Sequence, residues 1–363
     1  MEEKSRVEWI DIAKGIAIIM VVLGHAVRDD MRSEFVFLDI VYKCFYVFHM
    51  SFFFFLSGYT YRIAGKKYGV NVTMLRKKVK SMLLPWVAYS IFIYIVFTVA
   101  HQLPGIGNLL EQSGNYKLTV SSYTLMCLQA DNPYAFHLWF IYVLFIITLL
   151  WMLIEKCSFG KKRVAQSISA VVVLSSLFLV GYGFLPFLGD WNSLMYYLVR
   201  YIPYFALGFS VNLEEYIKNK SNWIMRLLAV FGTIYIFIRA YFFAGNGNQI
   251  IGATKGIRVI VAYIGYLLLP FVMLELCRLS NVLSNSSLKT AKVLKIAGRY
   301  SFTIYLWHQP FCCAMPGLIL YVKFGLPAGI SIAISTVMSF VMAFVIEKVK
   351  ALMRRMRRIK KCS

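Results

Sequence analysis

Runs of about twenty apolar residues recur along this chain, and that length matches a helix crossing a hydrocarbon core roughly 30 Å thick. Only helices and closed barrels satisfy their backbone hydrogen bonds inside lipid, and the uninterrupted apolar character of these runs selects helices. The runs lie at approximately 12–27, 40–61, 81–100, 136–154, 167–185, 195–213, 223–243, 256–277, 299–317 and 328–347. They predict an all-α fold, a polytopic membrane helical bundle of about ten transmembrane helices. A soluble globule is excluded by composition, because 60% of the residues are hydrophobic, 15% are charged and the mean hydropathy is +0.66. A soluble surface has no means of covering that much apolar area.

The formal charge of +23 comes from 39 Lys and Arg against 16 Asp and Glu. On a soluble surface such an excess would suggest nucleic acid. Here the basic residues are gathered between the apolar runs, so no nucleic-acid partner is expected, and the charge reads as a topology signal with a second use in attracting anionic lipid or a phosphorylated donor. Lys4 and Arg6, the run Arg62 to Lys80, Lys156 with Lys161, Lys162 and Arg163, Lys218 and Lys220, Arg278 to Arg299, and the tail Lys348 to Lys361 fall on one side. The alternate connectors 101–135, 244–254 and 318–327 are poorer in Lys and Arg. This asymmetry predicts that both termini are cytoplasmic. The N-terminus reads as a retained first span, since the apolar run after Asp11 ends without a small-residue cleavage pattern. The connector 101–135 either folds over an outward opening or lies loose on the surface. The seven cysteines, Cys44, Cys127, Cys157, Cys277, Cys312, Cys313 and Cys362, lack metal-ligand spacing and read as small apolar residues. The basic tail 348–363 reads as an extension of the last helix along the inner surface.

Ionisable residues inside apolar runs are the candidate functional groups. Asp11, Lys14 and His25 lie in the first run, "DIAKGIAIIMVVLGHA". At 100° per residue, Lys14 and His25 end about 20° apart in azimuth, and Asp11 and His25 about 40° apart, so the three mark one stripe. Lys14 and His25 are separated by roughly 16 Å along it, too far to touch one small reacting group. Asp11 and Lys14 read equally well as interfacial residues. His49 sits in the phenylalanine-rich "FYVFHMSFFFFLSGYTYR", where Ser57 and Gly58 permit close helix approach and Arg62 stands at the cytoplasmic end. His137 opens "FHLWFIYVLFI" beside Trp139, near the outer surface. In "GRYSFTIYLWHQPF", Tyr305, His308, Gln309 and Pro310 interrupt an apolar run, and Pro310 predicts a kink with a freed carbonyl. By this topology His25, His49, His101 and His137 belong to the outer half and His308 lies near mid-membrane. No cluster of carboxylates or cysteines accompanies them to suggest a metal. Arg200, Arg239 and Arg258 fall toward the outer side, where they meet either an anionic acceptor or lipid headgroups.

The chain resembles the acyltransferase 3 family of multispanning membrane acyltransferases, over nearly its whole length. The resemblance is carried by "VEWIDIAKGIAIIMVVLGH" from Val7 to His25, "FHMSFFFFLSGY" from Phe48 to Tyr59, "FHLWFI" at 136–141 and "GRYSFTIYLWHQPF" at 298–311. "DIAKGIAI" with "LGH" is especially similar to the subgroup labelled fucose 4-O-acetyltransferase-like, a label that covers varied acceptors. Many members carry Arg where this chain has Lys14, which keeps the charge and loses the planar fork. The resemblance implies an O-acyltransferase domain over 1–347 in a bacterial cytoplasmic membrane, followed by a basic cytoplasmic tail at 348–363. It implies acetyl-CoA or another acyl-CoA as the donor, no permanently bound cofactor, and a hydroxyl of a saccharide, peptidoglycan or lipid-linked acceptor. His25 would be the essential histidine, acting as general base or as a covalent acyl carrier, with Asp11 supporting it. Lys14, Arg62 and Arg76 become candidates for the donor phosphates, and His49, His137, Arg239 and His308 for orienting groups or acceptor contacts. A transporter or exporter of a small solute or lipid-linked glycan is the other class compatible with these residues, but its usual sign, paired broken spans in corresponding halves, is missing.

Overall fold

The computed structural model describes residues 7–112, 114–158, 164, 167–172, 175, 193–218, 222–242 and 255–362. Most of the expected fifth span, the external stretch 244–254, and Lys161, Lys162 and Arg163 lie outside them, as does the Arg258 side chain. The protein is an all-α polytopic membrane helical bundle. Among the described residues, seven helices are long and apolar enough to cross a membrane: Glu8–Ala26, Val36–Gly65, Val72–Ala100, Phe136–Cys157, Trp223–Phe242, Tyr263–Ser284 and Ala328–Met356.

The helices follow one another as α1 (Glu8–Ala26), α2 (Asp29–Glu34), α3 (Val36–Tyr68), α4 (Val72–Lys78), α5 (Leu84–Ala100), α6 (Ile106–Gln112), α7 (Val120–Leu128), α8 (Trp139–Cys157), α9 (Ser193–Ser210), α10 (Leu213–Lys218), α11 (Trp223–Phe242), α12 (Lys255–Ser284), α13 (Lys289–Arg299), α14 (Ser301–Trp307), α15 (Ala314–Gly317) and α16 (Ala328–Cys362). Two expected spans depart from the long apolar type for identifiable reasons. α9, over the expected 195–213, carries Tyr196, Tyr197, Arg200, Tyr201 and Tyr204 within its 18 residues, so its apolar character is diluted. The expected span 299–317 is broken. Gln309 takes extended dihedrals (φ −118°, ψ 143°), as a residue before proline must when the α region is sterically closed to it. The expected kink at Pro310 is therefore an interruption, with α14 and α15 on either side.

The chain divides into two compact units. The first comprises Met1–Phe53, Asn212–Thr254 and Leu267–Ser363, and the second Phe54–Val211 and Lys255–Tyr266. In the first, α1 and α13 cross with their backbones almost touching. A Cβ on Gly15 would stand 2.0 Å from the Leu294 carbonyl oxygen, and one on Gly298 only 1.6 Å from the Asp11 carbonyl oxygen. Only glycine, which has no Cβ, lets two helix backbones come this close. The contact is flanked by ion pairs between Lys295 and Glu8 and between Arg299 and Asp11, the latter at 3.6 Å. α16 packs against α1 and α14, and it turns Ser331, Ser335 and Ser339 inward with no exposed surface. Thr303 of α14 donates to the Glu347 carboxylate of α16 at 2.5 Å. α16 continues as one helix to Cys362, as expected of the basic tail.

The second unit repeats the glycine crossing. Gly58 of α3 would place a Cβ 2.0 Å from the Phe205 carbonyl oxygen, and Gly208 of α9 would place one 1.9 Å from that of Phe55. The Tyr61 hydroxyl donates to the Glu155 carboxylate of α8 at 2.6 Å, so the acid that ends α8 is not left bare in apolar surroundings.

Candidate active site

The first unit gathers three of the chain's five histidines. His25 occupies the last turn of α1, opposite the acidic residues Glu8 and Asp11 of its first turn. The acids thereby complement the positive end of the helix dipole. His308 stands where α14 stops, and the interruption at Gln309 turns its ring toward α1, 5.0 Å from that of His25 between centroids. From α3, Tyr46 brings its hydroxyl to 3.2 Å from Nδ1 and 3.4 Å from Nε2 of His25. Both nitrogens are within hydrogen-bond reach of that hydroxyl, and the tautomer decides which of them donates or accepts. His49, one turn further along α3, meets the Tyr46 ring edge-on at 5.0 Å.

The three rings differ in access. His49 is 1% exposed and His308 0% exposed, whereas His25 keeps part of its surface. Each buried ring uses Nδ1–H as a donor to a backbone carbonyl, His49 to Phe45 and His308 to Tyr305 at 2.7 Å. A carbonyl only accepts, so these bonds assign the proton to Nδ1 and leave Nε2 as an acceptor. His25 is therefore the accessible imidazole of the group, supported by one hydroxyl and two oriented rings.

A charged rim follows directly on His25. Arg28 pairs with Asp30 at 2.9 Å, Arg32 pairs with Asp29 and, at 3.5 Å, with Asp39, and Lys43 reaches Asp39 at 2.8 Å. The Arg32 guanidinium lies 3.9 Å over the Tyr42 ring, which stacks on Tyr46 at 4.0 Å. Reading the chain alone singled out none of Tyr42, Tyr46, Arg32, Asp39 or Lys43. The available signal was "RDDMRSE" immediately after a membrane histidine, together with the Asp39 and Lys43 pair four residues apart within an apolar run.

The other expected site residues are dispersed. Asp11 lies fourteen residues before His25, about 21 Å along α1, and its partner is Arg299. Lys14 is part-buried one turn further on. Arg62, in the second unit, donates through one nitrogen to the carbonyls of Phe209, Ser210 and Val211, at 3.3, 3.3 and 2.8 Å. It thus closes the C-terminus of α9, where a cation is electrostatically favoured. Arg76 is exposed on α4. His137 also belongs to the second unit, 4% exposed and edge-on to Tyr89 at 6.2 Å. Arg239 lies part-buried near the end of α11 in the first unit. No group of three metal-ligating side chains occurs among the described residues.

Comparison with curated proteins and with solved structures returned no match. A family model described as an acyltransferase domain, Acyl_transf_3, matches residues 7–348 and so takes in α1, the histidine group and α16 as far as residue 348. The chain belongs to the acyltransferase 3 family and is a membrane-embedded acyltransferase.

Proposed function

We propose that this protein moves an acetyl group from cytosolic acetyl-CoA to a hydroxyl of a surface saccharide or related envelope acceptor, with His25 as general base. The observation that carries the reading is the accessible His25 ring with the Tyr46 hydroxyl at 3.2 Å and the His308 ring at 5.0 Å. His25 takes the acceptor's hydroxyl proton as that oxygen attacks the thioester carbonyl. The C–S bond then breaks, and the departing thiolate leaves as CoA once protonated. Positive charge formed on His25 falls in the last turn of α1, where unpaired helix carbonyls stabilise it. His49 and His308 keep the pocket oriented, while His137 and Arg239 contact the acceptor.

With both termini cytoplasmic and ten spans in all, α1 begins at the inner surface and His25 lies toward the outer one. Lys14, Arg62 and Arg76 hold the donor phosphates at the inner side, and the extended donor covers the roughly 16 Å from Lys14 to His25. Asp11 supports the site from the inner end by fastening α13 through Arg299. Residues 1–347 form the catalytic domain, and 348–363 an electrostatic anchor on anionic lipid.

The test is CoA release by purified protein in liposomes, supplied with acetyl-CoA and a crude surface-glycan acceptor, comparing the intact chain with His25→Ala of equal thermal stability. Acceptor-dependent release should fall by about 100-fold or more in the variant. Release unchanged by the substitution would reject His25 as the base. Solute movement without thioester consumption would replace acyl transfer with transport.

A further inference from the structure

The second unit holds a cation that the histidine chemistry does not use. Arg200 lies near the middle of α9 and is part-buried as a residue. One of its nitrogens donates to the Tyr196 hydroxyl, and its central carbon lies 5.6 Å from the ring centroids of both Tyr196 and Tyr201. Among the described residues no carboxylate pairs with it. A cation inside a membrane helix is costly and is ordinarily retained for a task, and the planar fork of arginine presents five donors, most of them unused here.

The surroundings are ring faces in parallel. Trp139 stacks on Tyr197 at 4.1 Å and 12°, and on Tyr201 at 5.2 Å and 25°, while Phe54 backs Tyr201 at 4.8 Å and 14°. Trp139 and Tyr201 are buried, whereas Tyr196, Tyr197 and Arg200 retain accessible surface. Together these side chains combine a rigid aromatic plate, phenolic hydroxyls and a guanidinium with unused donors. A lone inorganic anion has no use for the plate, and a neutral sugar has none for the cation. A pyranose ring bearing a carboxylate uses both: its C–H face lies on the plate, its hydroxyls meet the phenols, and its carboxylate meets the fork bidentately.

We infer that Arg200 with Tyr196 and Tyr197 forms a binding site for an anionic saccharide of the uronic-acid type. In naming that saccharide as the acceptor, the inference rests on the acyl-transfer reading; binding itself does not.

The experiment uses the full chain in nanodiscs and follows tryptophan fluorescence on titration with an oligogalacturonate and with a neutral maltooligosaccharide of equal length. The intact chain should bind the uronate at least tenfold more tightly, and Arg200→Gln should abolish that preference while His25→Ala leaves it intact. Should Arg200→Gln fail to fold, Arg200→Lys, which keeps the charge and loses the fork, should weaken uronate binding about fivefold without affecting the neutral oligomer. Equal binding of the two oligomers, a preference that survives Arg200→Gln, or no binding of either overturns the inference. Arg200-dependent retention of phosphatidylglycerol over phosphatidylcholine, without uronate binding, assigns the site to a lipid headgroup and also overturns it. Acetyl transfer to neutral glycans with no uronate binding would sink this inference alone, and uronate binding with no thioester consumption would sink acyl transfer alone.

Discussion

Tyr46 is the residue through which the two sides of the candidate site communicate, touching His25 with its hydroxyl and stacking on Tyr42 beneath Arg32. Tyr46→Phe keeps the stack and removes only the hydroxyl. It should lower kcat about tenfold, equivalent to about 1.4 kcal/mol of barrier, with the donor KM unchanged; an unaltered kcat would reduce Tyr46 to packing. Arg62 and Arg76 separate a shared role from a private one. Arg62→Ala should raise the donor KM and also cost about 1 kcal/mol of stability, because it opens the end of α9. Arg76→Ala, on an exposed side chain, should raise the donor KM and leave stability within about 0.5 kcal/mol. Steady-state kinetics paired with thermal unfolding in detergent reads both. His25, His49 and His308 were legible in the chain because a titratable ring inside an apolar run needs a reason. Tyr46 was not, since one phenol among the chain's 24 tyrosines reads as interfacial belt. Nor was the partner of Asp11: helical arithmetic put Asp11 on the stripe of His25, but Arg299 lies far along the chain, where no local pattern points to it.

At the scale of elements, the glycine crossings carry the sharpest expectations. Gly298→Leu would drive a side chain into the backbone of Asp11 and should lower stability by about 3 kcal/mol, seen as an earlier thermal transition. Gly329→Ala is the contrasting case, because a Cβ there meets nothing within 4 Å; the substitution should raise stability by about 0.5 kcal/mol. A Gly298→Leu variant that melts with the intact protein would mean the crossing is looser than its geometry. Seven expected spans correspond to long helices because uninterrupted apolar length is itself the signal. The ninth was legible only as kinked: Pro310 announced a break, but whether the chain would bend or stop depended on the packing of His308 against α1. The close approach at Gly58 was readable from its small size, whereas the partner helix, α9, was not.

For the whole molecule, the proposed topology makes one chemical forecast. Cys157 is exposed at the end of α8, while Cys44, Cys127, Cys277, Cys312 and Cys313 are buried. Burial also pushes the Cys127 thiol up to about 11, holding it in the unreactive protonated form. In a Cys362→Ser background, a membrane-impermeant maleimide should therefore label Cys157 in inverted vesicles and not from outside intact cells; labelling from outside would reverse the assignment of both termini. Charge asymmetry in the chain is what motivates that proposed orientation; the division into two units had no such signal, since it follows from contacts between distant stretches of chain. The crossing of α1 with α13 also has a consequence in time. Glu8 and Lys295 are 287 residues apart, and translation proceeds at about 5–20 residues per second. The first helix thus waits about 15–60 s for the helix that covers its glycine face and neutralises its acids. During that interval α1 stands in the bilayer as a half-built joint, and nascent chains stalled before residue 289 should leave Asp11 open to a carboxyl-modifying reagent that the finished protein resists.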